Sequence, residues 1–503
     1  MKLREPLGRV VTRARAGVAV PAASLWLIGY LVVAFTGHGF DSGYLRYGWQ
    51  LIPWETLSAD PLVSVWNLHI QPPFWNLLLG LVGWATPFPI AVSLQLVMLV
   101  FGLTGVGLAA ILARDLGLSR RWSVGVAVAV YSNPEILRGA FEPTYELPVG
   151  VLLTALVLIA VRARRPERAD RWLVLGSAIA TSVIMTRSLY HPVWALVIVA
   201  IIAHGARGRV SARSVAMAFV IPIVVAGGWM TKNEILFDRA TMSSWFGMNL
   251  ERAVLPILPK AELDRMVSVG ELDPIASEQT FASYETYRDL VEPCSVESGH
   301  PSLAEAARVD AEIPNFNYEC FLPVYDEAYE NAMTVARSHP RVWVEGRVWS
   351  LRASMAISTA PQRSGSIVMR GLDSVYSIAR LDVGTELSTS SWGTQIYGPN
   401  TTGIRMKVGV VNVGFHVLVL MCGLALASRR VRRSLGTLGP IIGLVSFLAW
   451  YTTLVGAVGE LGEQARFRTM IDPIVIIVAV VTVRRVAVRS GRTRQSQARS
   501  VGR

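Results

Sequence analysis

Ten apolar runs punctuate the chain, near 18–35, 88–112, 123–133, 147–161, 172–186, 190–203, 215–230, 407–427, 437–456 and 470–483. A helix that crosses a bilayer takes about 20 mostly apolar residues, and most of these runs reach or approach that length. The pattern predicts an all-α polytopic membrane protein of about ten spans. One further stretch, PFWNLLLGLVGWAT (73–86), is too short to cross comfortably. It begins beside a Pro-Pro pair, which suits a first helical turn, and reads as a re-entrant helix. The interval 231–406 is too polar for lipid and reads as an external domain of mixed helix and loop. Within it, FLPVYDEAYENAMTVARS (321–338) has helical spacing. The following segment, 339–359, has the pattern of an amphipathic helix at the membrane surface, where Trp343 and Trp349 suit the interface.

Composition supports the membrane reading. Hydrophobic residues make up 52% of the 503, charged ones 17%, and the mean hydropathy is +0.41. The net charge of +12 would suit nucleic acid, but its distribution does not. Basic residues collect in short loops at 113–122, 161–172, 204–214 and 428–434, and in the tail 486–503. Placing each of these in the cytoplasm lets ten spans alternate without contradiction and puts both termini inside. The protein is therefore expected in the plasma membrane as a multi-pass chain. The first run is long for a signal peptide and lacks a small-residue cleavage site, so it reads as a retained span. The organisation expected is a membrane core over 1–230 with an external loop at 36–72, an external domain at 231–406, C-terminal spans at 407–485, and the basic tail.

The external side then collects 36–72, 133–146, 187–190, 231–406 and 457–469. Residues 231–330 carry 19 acidic against 7 basic side chains. Cys294 and Cys320 both fall in the external domain, either as a disulfide in an oxidising compartment or as two free thiols; spacing does not decide. No nucleotide-binding P-loop, zinc-type Cys/His spacing or serine-hydrolase elbow is present, which removes support for nucleotide-driven transport and serine hydrolysis.

The first external loop opens GFDSGYLRYGWQL (39–51). Asp41 lies only five or six residues past the first span, so it is held near the membrane surface, with Tyr44, Tyr47 and then Glu55 following. It is either a solvated loop acid or a general base towards a hydroxyl acceptor. The loop ends in His69-Ile70-Gln71-Pro72-Pro73.

This order resembles the GT-C glycosyltransferases, multi-span enzymes that use polyprenyl-phosphate sugars as donors. In the branch holding the protein O-mannosyltransferases and aminoarabinose transferases, the loop begins with a D-E-x-x-Y-like element and reaches an H-x-P-P-like element. Here Ser42 stands where an acid is common, and one extra residue separates His69 from the prolines. The resemblance implies a GT-C-like fold with Asp41 as catalytic base, and with Tyr44, Glu55 and His69 at the substrate. It implies a second acid in YSNPEILRGAFEPTYELP (131–148), where Glu142 is favoured over Glu135 and Glu146. Arg187 and His191 in MTRSLYHP (185–192) would meet a lipid phosphate. Lys232 and Asn233 would hold the donor as they emerge from their span. In GELGEQARFRTMIDP (459–473), Glu463, Arg466 and Arg468 would face the leaving phosphate. A structural reading stands beside each: a solvated acid, a helix-end anchor, an interface hairpin.

The function so implied is transfer of a monosaccharide from a polyprenyl-phosphate donor to an external hydroxyl, by inverting displacement. The acceptor is a glycan, lipid or protein. A divalent metal is compatible with the sequence but not required by it. The rival readings are a flippase for lipid-linked sugars, which predicts ionisable residues inside spans and repeated halves, a non-catalytic envelope assembly protein, and a ligase or polymerase using a diphosphate donor.

Overall fold

The computed structural model describes residues 7–296, 298–308, 313–356, 366–388, 404–459 and 464–501. Each of the ten apolar runs is a helix: α1 (Leu7–Phe35), α3 (Ile90–Asp115), α4 (Arg120–Tyr131), α5 (Glu146–Ala163), α6 (Ala169–Ile184), α7 (Pro192–Gly205), α8 (Ala212–Phe237), α13 (Val410–Ala425), α14 (Gly439–Gly459) and α15 (Gln464–Val501). The short stretch after the Pro-Pro pair is α2 (Phe74–Ala85). Among the described residues, five helices are long and apolar enough to cross a membrane unaided: α1, α3, α5, α8 and α14. The chain is an all-α, multi-pass membrane protein.

Helix α5 sits at the centre, packed against α3, α6 and α15. Its apolar residues run all round it, and nearly all are buried, as expected of a helix with protein on every side. Helices α1 and α8 lie outside, presenting Leu25, Ile28, Val220, Ile223 and Val224 outward. In water such a surface would cost about 25 cal/mol per Å² exposed; against acyl chains it costs nothing. On the far side α13, α14 and α15 pack on one another.

The 231–406 segment, expected as an external domain, includes α9 (Phe246–Arg252), α10 (Phe321–Ser338) and α11 (Pro340–Ser354), with α12 (Ile367–Arg380) following. Helices α9 and α10 pack against each other, and they touch at a glycine. A Cβ on Gly247 would lie 2.0 Å from the Tyr325 carbonyl oxygen. Cys294 and Cys320 are joined by a disulfide, with Cα atoms 5.6 Å apart. Helix α11 packs against α14 and α15, so it leans on the spanning bundle.

Two features differ from the sequence reading. The domain expected as helix and loop also contains an antiparallel ribbon, β1 (Asp382–Ser388) with β2 (Ile404–Gly409), Asp382 opposite Gly409. Two strands separated by a polar interval carry too weak an alternating signal to be read from pattern alone. Helix α8 also runs past its apolar run, to Phe237. Lys232 and Asn233 therefore lie within its last turns, on the buried face of the helix.

The external domain grips the first external loop. The buried guanidinium of Arg308 donates to the carbonyl oxygens of Arg46 (2.9 Å), Gly48 (2.7 Å) and Leu51 (2.5 Å). Asn317 takes the His69 backbone N–H (2.9 Å) and donates to the Asn67 carbonyl (3.0 Å). These bonds answer loop carbonyls and amides that strand or helix pairing would otherwise satisfy, and they fix where Asp41 points.

Candidate active site

Between the external loops and the ends of the spanning helices lies a cavity of about 860 Å³. Asp41 stands on its wall. Its Oδ1 accepts the Gly43 backbone N–H at 2.8 Å, and its Oδ2 accepts the Tyr47 hydroxyl at 3.2 Å. The glycine is required by this geometry: a Cβ on Gly43 would lie 2.8 Å from Asp41 Oδ1 and 2.8 Å from the Tyr47 ring. The Asp41 backbone N–H donates to the Phe141 carbonyl, 2.8 Å, which brings the 131–148 turn to the first loop.

That turn delivers Glu142 to the same cavity. Burial, then the charges of Asp41 and Glu146, push the Glu142 carboxyl above its ordinary range; Arg466 and Arg138 pull it back. Three carboxylates and two guanidiniums thus share one site. Arg466 pairs with Glu146 at 2.6 Å, and Arg138 with Asp373 of α12 at 2.5 Å.

Arg187 lies at the junction before α7, buried, with its guanidinium carbon 4.5 Å from the Tyr145 ring centre and 4.7 Å from that of Phe467. It hydrogen-bonds the Tyr145 hydroxyl. Packed on two rings, the planar guanidinium has a fixed orientation. His191 caps α7, its ring accepting the Val193 N–H at 3.3 Å, and its own backbone N–H donates to Tyr451. Next to these, Leu189, Met230, Tyr451 and Val455 give the cavity an apolar flank at the ends of α7, α8 and α14.

Of the residues singled out in sequence, the structure brings Asp41, Tyr44, Glu142, Arg187, His191 and Arg466 to this one cavity. It places others outside the lining. Glu55 is exposed on a short helix of the first loop. His69 is buried between Ser244 (2.6 Å) and the Asn317 carbonyl (3.1 Å), and burial pushes its pKa down to about 3; it joins loop to domain. Lys232 donates to the Leu68 carbonyl at 2.6 Å and lies 3.8 Å over Trp229. Asn233 donates to the Thr241 carbonyl at 2.7 Å. Arg468 is buried against Glu135, at 2.7 Å, and Asp472. Each of these four braces a wall of the cavity rather than facing into it. Glu463 lies outside the described residues.

Sequence reasoning missed Arg138, Trp49 and Phe281 on the lining. Tyr47, singled out six residues past Asp41, lines the cavity too. Among the described residues no group of three or more His, Cys, Asp and Glu side chains stands close enough together to hold a metal ion.

The chain is similar to a solved structure of ArnT from Cupriavidus metallidurans bound to undecaprenyl phosphate, at 14% identity and a TM-score of 0.35, over 94% of this chain and 78% of that one. It is similar also to the apo state of that protein, at 14% identity and a TM-score of 0.34, over 93% and 77% of the two chains. No family model matches the chain, and no curated protein matches it.

Proposed function

We propose that this protein is a GT-C-like glycosyltransferase that moves a monosaccharide from a polyprenyl-phosphate donor to a hydroxyl acceptor on the external face of the plasma membrane. The observation that carries this reading is one cavity joining a hydrogen-bonded carboxylate, three guanidiniums and an apolar flank made by membrane helices. The flank suits a polyprenyl chain arriving sideways from the bilayer. Arg187, with Arg138 and Arg466 near it, suits the phosphate. The motif order of the first external loop supports the same assignment.

In this reading Asp41 Oδ2 takes the proton of the acceptor hydroxyl. The acceptor oxygen forms its bond to the anomeric carbon as the bond from that carbon to the phosphate oxygen breaks. The electron pair leaves with the polyprenyl phosphate, whose charge the arginines stabilise. A single displacement inverts the anomeric centre. Tyr47 and the Gly43 amide hold the carboxylate still, and Glu142, keeping its proton to a higher pH than an ordinary carboxyl, donates a hydrogen bond to the sugar. Residues 1–230 supply the membrane core and base, 231–406 roofs the site, 407–485 supplies Arg466, and both termini with the 486–503 tail lie in the cytoplasm.

The flippase and assembly readings gain nothing from a fixed carboxylate at a cation-lined cavity. The test is to supply radiolabelled polyprenyl-phosphate sugars to membranes containing this protein, with an envelope acceptor fraction. Label should leave the carrier lipid and appear in the acceptor. If label crosses the bilayer still on its lipid, the chain is a transporter instead.

A further inference from the structure

Part of the cavity wall is aromatic. Trp49 follows Tyr47 on the first loop, and Trp245 and Phe281 come from the external domain; all three line the cavity. The Trp49 and Phe281 rings lie 5.3 Å apart and tilted by 30°, while Trp245 meets Phe281 edge-on at 5.6 Å. Trp49 keeps 37% of its surface exposed. Arg252, at the end of α9, stands 5.9 Å from Trp49 and 5.8 Å from Phe281. Asn249, one turn earlier on the same helix, also faces the cavity.

Phe281 is held there against its backbone preference. Its φ is +65°, in the left-handed region where a bulky side chain costs energy. The Tyr287 hydroxyl clamps the turn on both sides, accepting the Ala282 N–H at 3.2 Å and donating to the Gln279 carbonyl at 2.6 Å. The turn thereby fixes Phe281, which is 6% exposed, in the cavity wall.

From these observations we infer that the Trp49–Trp245–Phe281 wall of the cavity is the acceptor subsite and takes a carbohydrate ring, stacked on the aromatics with its hydroxyls towards Asn249 and Arg252. The inference rests on the transferase reading above. The base lies beside these rings: Asp41 bonds Tyr47, two residues from Trp49, while Arg187 packs on a different pair of rings, Tyr145 and Phe467. The hydroxyl that loses its proton to Asp41 therefore enters from the aromatic side. Pyranose and furanose rings present C–H groups that stack on aromatic faces, and an adjacent guanidinium and amide suit vicinal hydroxyls. An extended peptide would instead need a strand edge or a row of backbone partners.

The test uses the full-length protein in detergent, with no donor present. Ligand-observed saturation-transfer NMR is run with di- to hexasaccharides released by mild acid from the source envelope, and with a Ser/Thr-rich hexapeptide. Saturation should reach the saccharides and not the peptide. Trp49→Ala and Phe281→Leu should abolish the signal, while Trp49→Phe, which keeps a ring face, should restore most of it. In the transfer assay, Trp49→Ala should raise the acceptor KM roughly tenfold, the loss of about one stacking contact, with the donor KM unmoved. Saccharide binding by wild type without transfer from any donor would sink the transferase reading and leave the sugar site standing. Peptide binding in place of saccharide, no binding of either, or an acceptor KM unchanged in Trp49→Ala would overturn the subsite.

Discussion

The backbone N–H of Asp41 is hydrogen-bonded to the carbonyl of Phe141 at 2.8 Å. One bond thereby fastens the first external loop to the turn that carries the second acid, next door at Glu142. The two carboxylates come from loops a hundred residues apart yet hold a fixed separation. That fixed relation makes their roles separable by substitution.

Asp41→Asn keeps the size of the side chain, the amide oxygen for Gly43 and the backbone bond to Phe141. It replaces the oxygen that accepts the Tyr47 hydroxyl by an amide nitrogen, and with it the proposed base. Transfer of label from the carrier lipid should fall by about 10²- to 10⁴-fold, with unchanged thermal unfolding. Normal transfer by this variant would move the base elsewhere, with Glu142 the next residue to change.

The pH profile tests Glu142. Burial and the neighbouring acids hold its proton on, and Arg466 is among the charges that pull it off. Arg466→Gln removes that pull and also releases the charge of Glu146, so both effects raise the carboxyl further. The alkaline limb of the rate profile, where Glu142 loses its proton, should move to higher pH. A limb that stays in place would exclude this carboxyl from the reacting set.

Arg187 should not tolerate lysine. An ammonium cannot lie flat between the rings of Tyr145 and Phe467 or offer two parallel donors to a phosphate. We expect Arg187→Lys to lower kcat/KM for the lipid donor roughly 10²-fold, while a saccharide acceptor shows its wild-type KM. Equal kinetics for the two proteins would mean that the guanidinium is a helix-junction anchor only.

Glu251 gives the external domain a pH dependence of its own. It is buried, hydrogen-bonded by Asn331 (3.2 Å) and Thr280 (3.4 Å), and burial pushes its pKa from 4.5 up to about 8. Between those values the folded protein holds a proton that the unfolded chain has released. Its contribution to stability is complete below pH 4.5, then declines until about pH 8. Thermal unfolding in detergent should show wild type losing ground to Glu251→Gln as pH rises from 5 to 8.5; parallel curves for the two would refute the assignment.

Arg468 joins Glu135 to Asp472 in a fully buried setting, with Arg380 bonding Glu135 from α12 at 3.2 Å. Arg468→Met takes one of two guanidiniums from Glu135 and the guanidinium partner of Asp472. A loss of about 3–5 kcal/mol is expected, seen as a lowered midpoint in detergent unfolding. A midpoint shift within error would show that the network is not needed to hold α15 in place.

The membrane helices were legible because each is an apolar run, even where it is short. Asp41, Arg187 and Arg466 were legible for the same reason: each lies within a few residues of a span end, so its depth is set locally. Arg308 was not legible. Its partners, Arg46, Gly48 and Leu51, lie some 260 residues away, and nothing in the local pattern of either segment announces a guanidinium filling a nest of carbonyls. Lys232 and His69 misled in the opposite way. Both look like free polar groups at span ends, yet long-range packing turned them inward, onto Leu68 and Asn317. Phe281 was invisible because its unusual backbone depends on the hydroxyl of Tyr287, and aromatic residues in polar loops are common.

The wall of the cavity that carries Arg466, Phe467 and Thr469 belongs to α15, whereas Asp41 and Glu142 come from loops far earlier in the chain. Loss of α15 would therefore open the cavity and uncover the face of Arg187 that packs on Phe467.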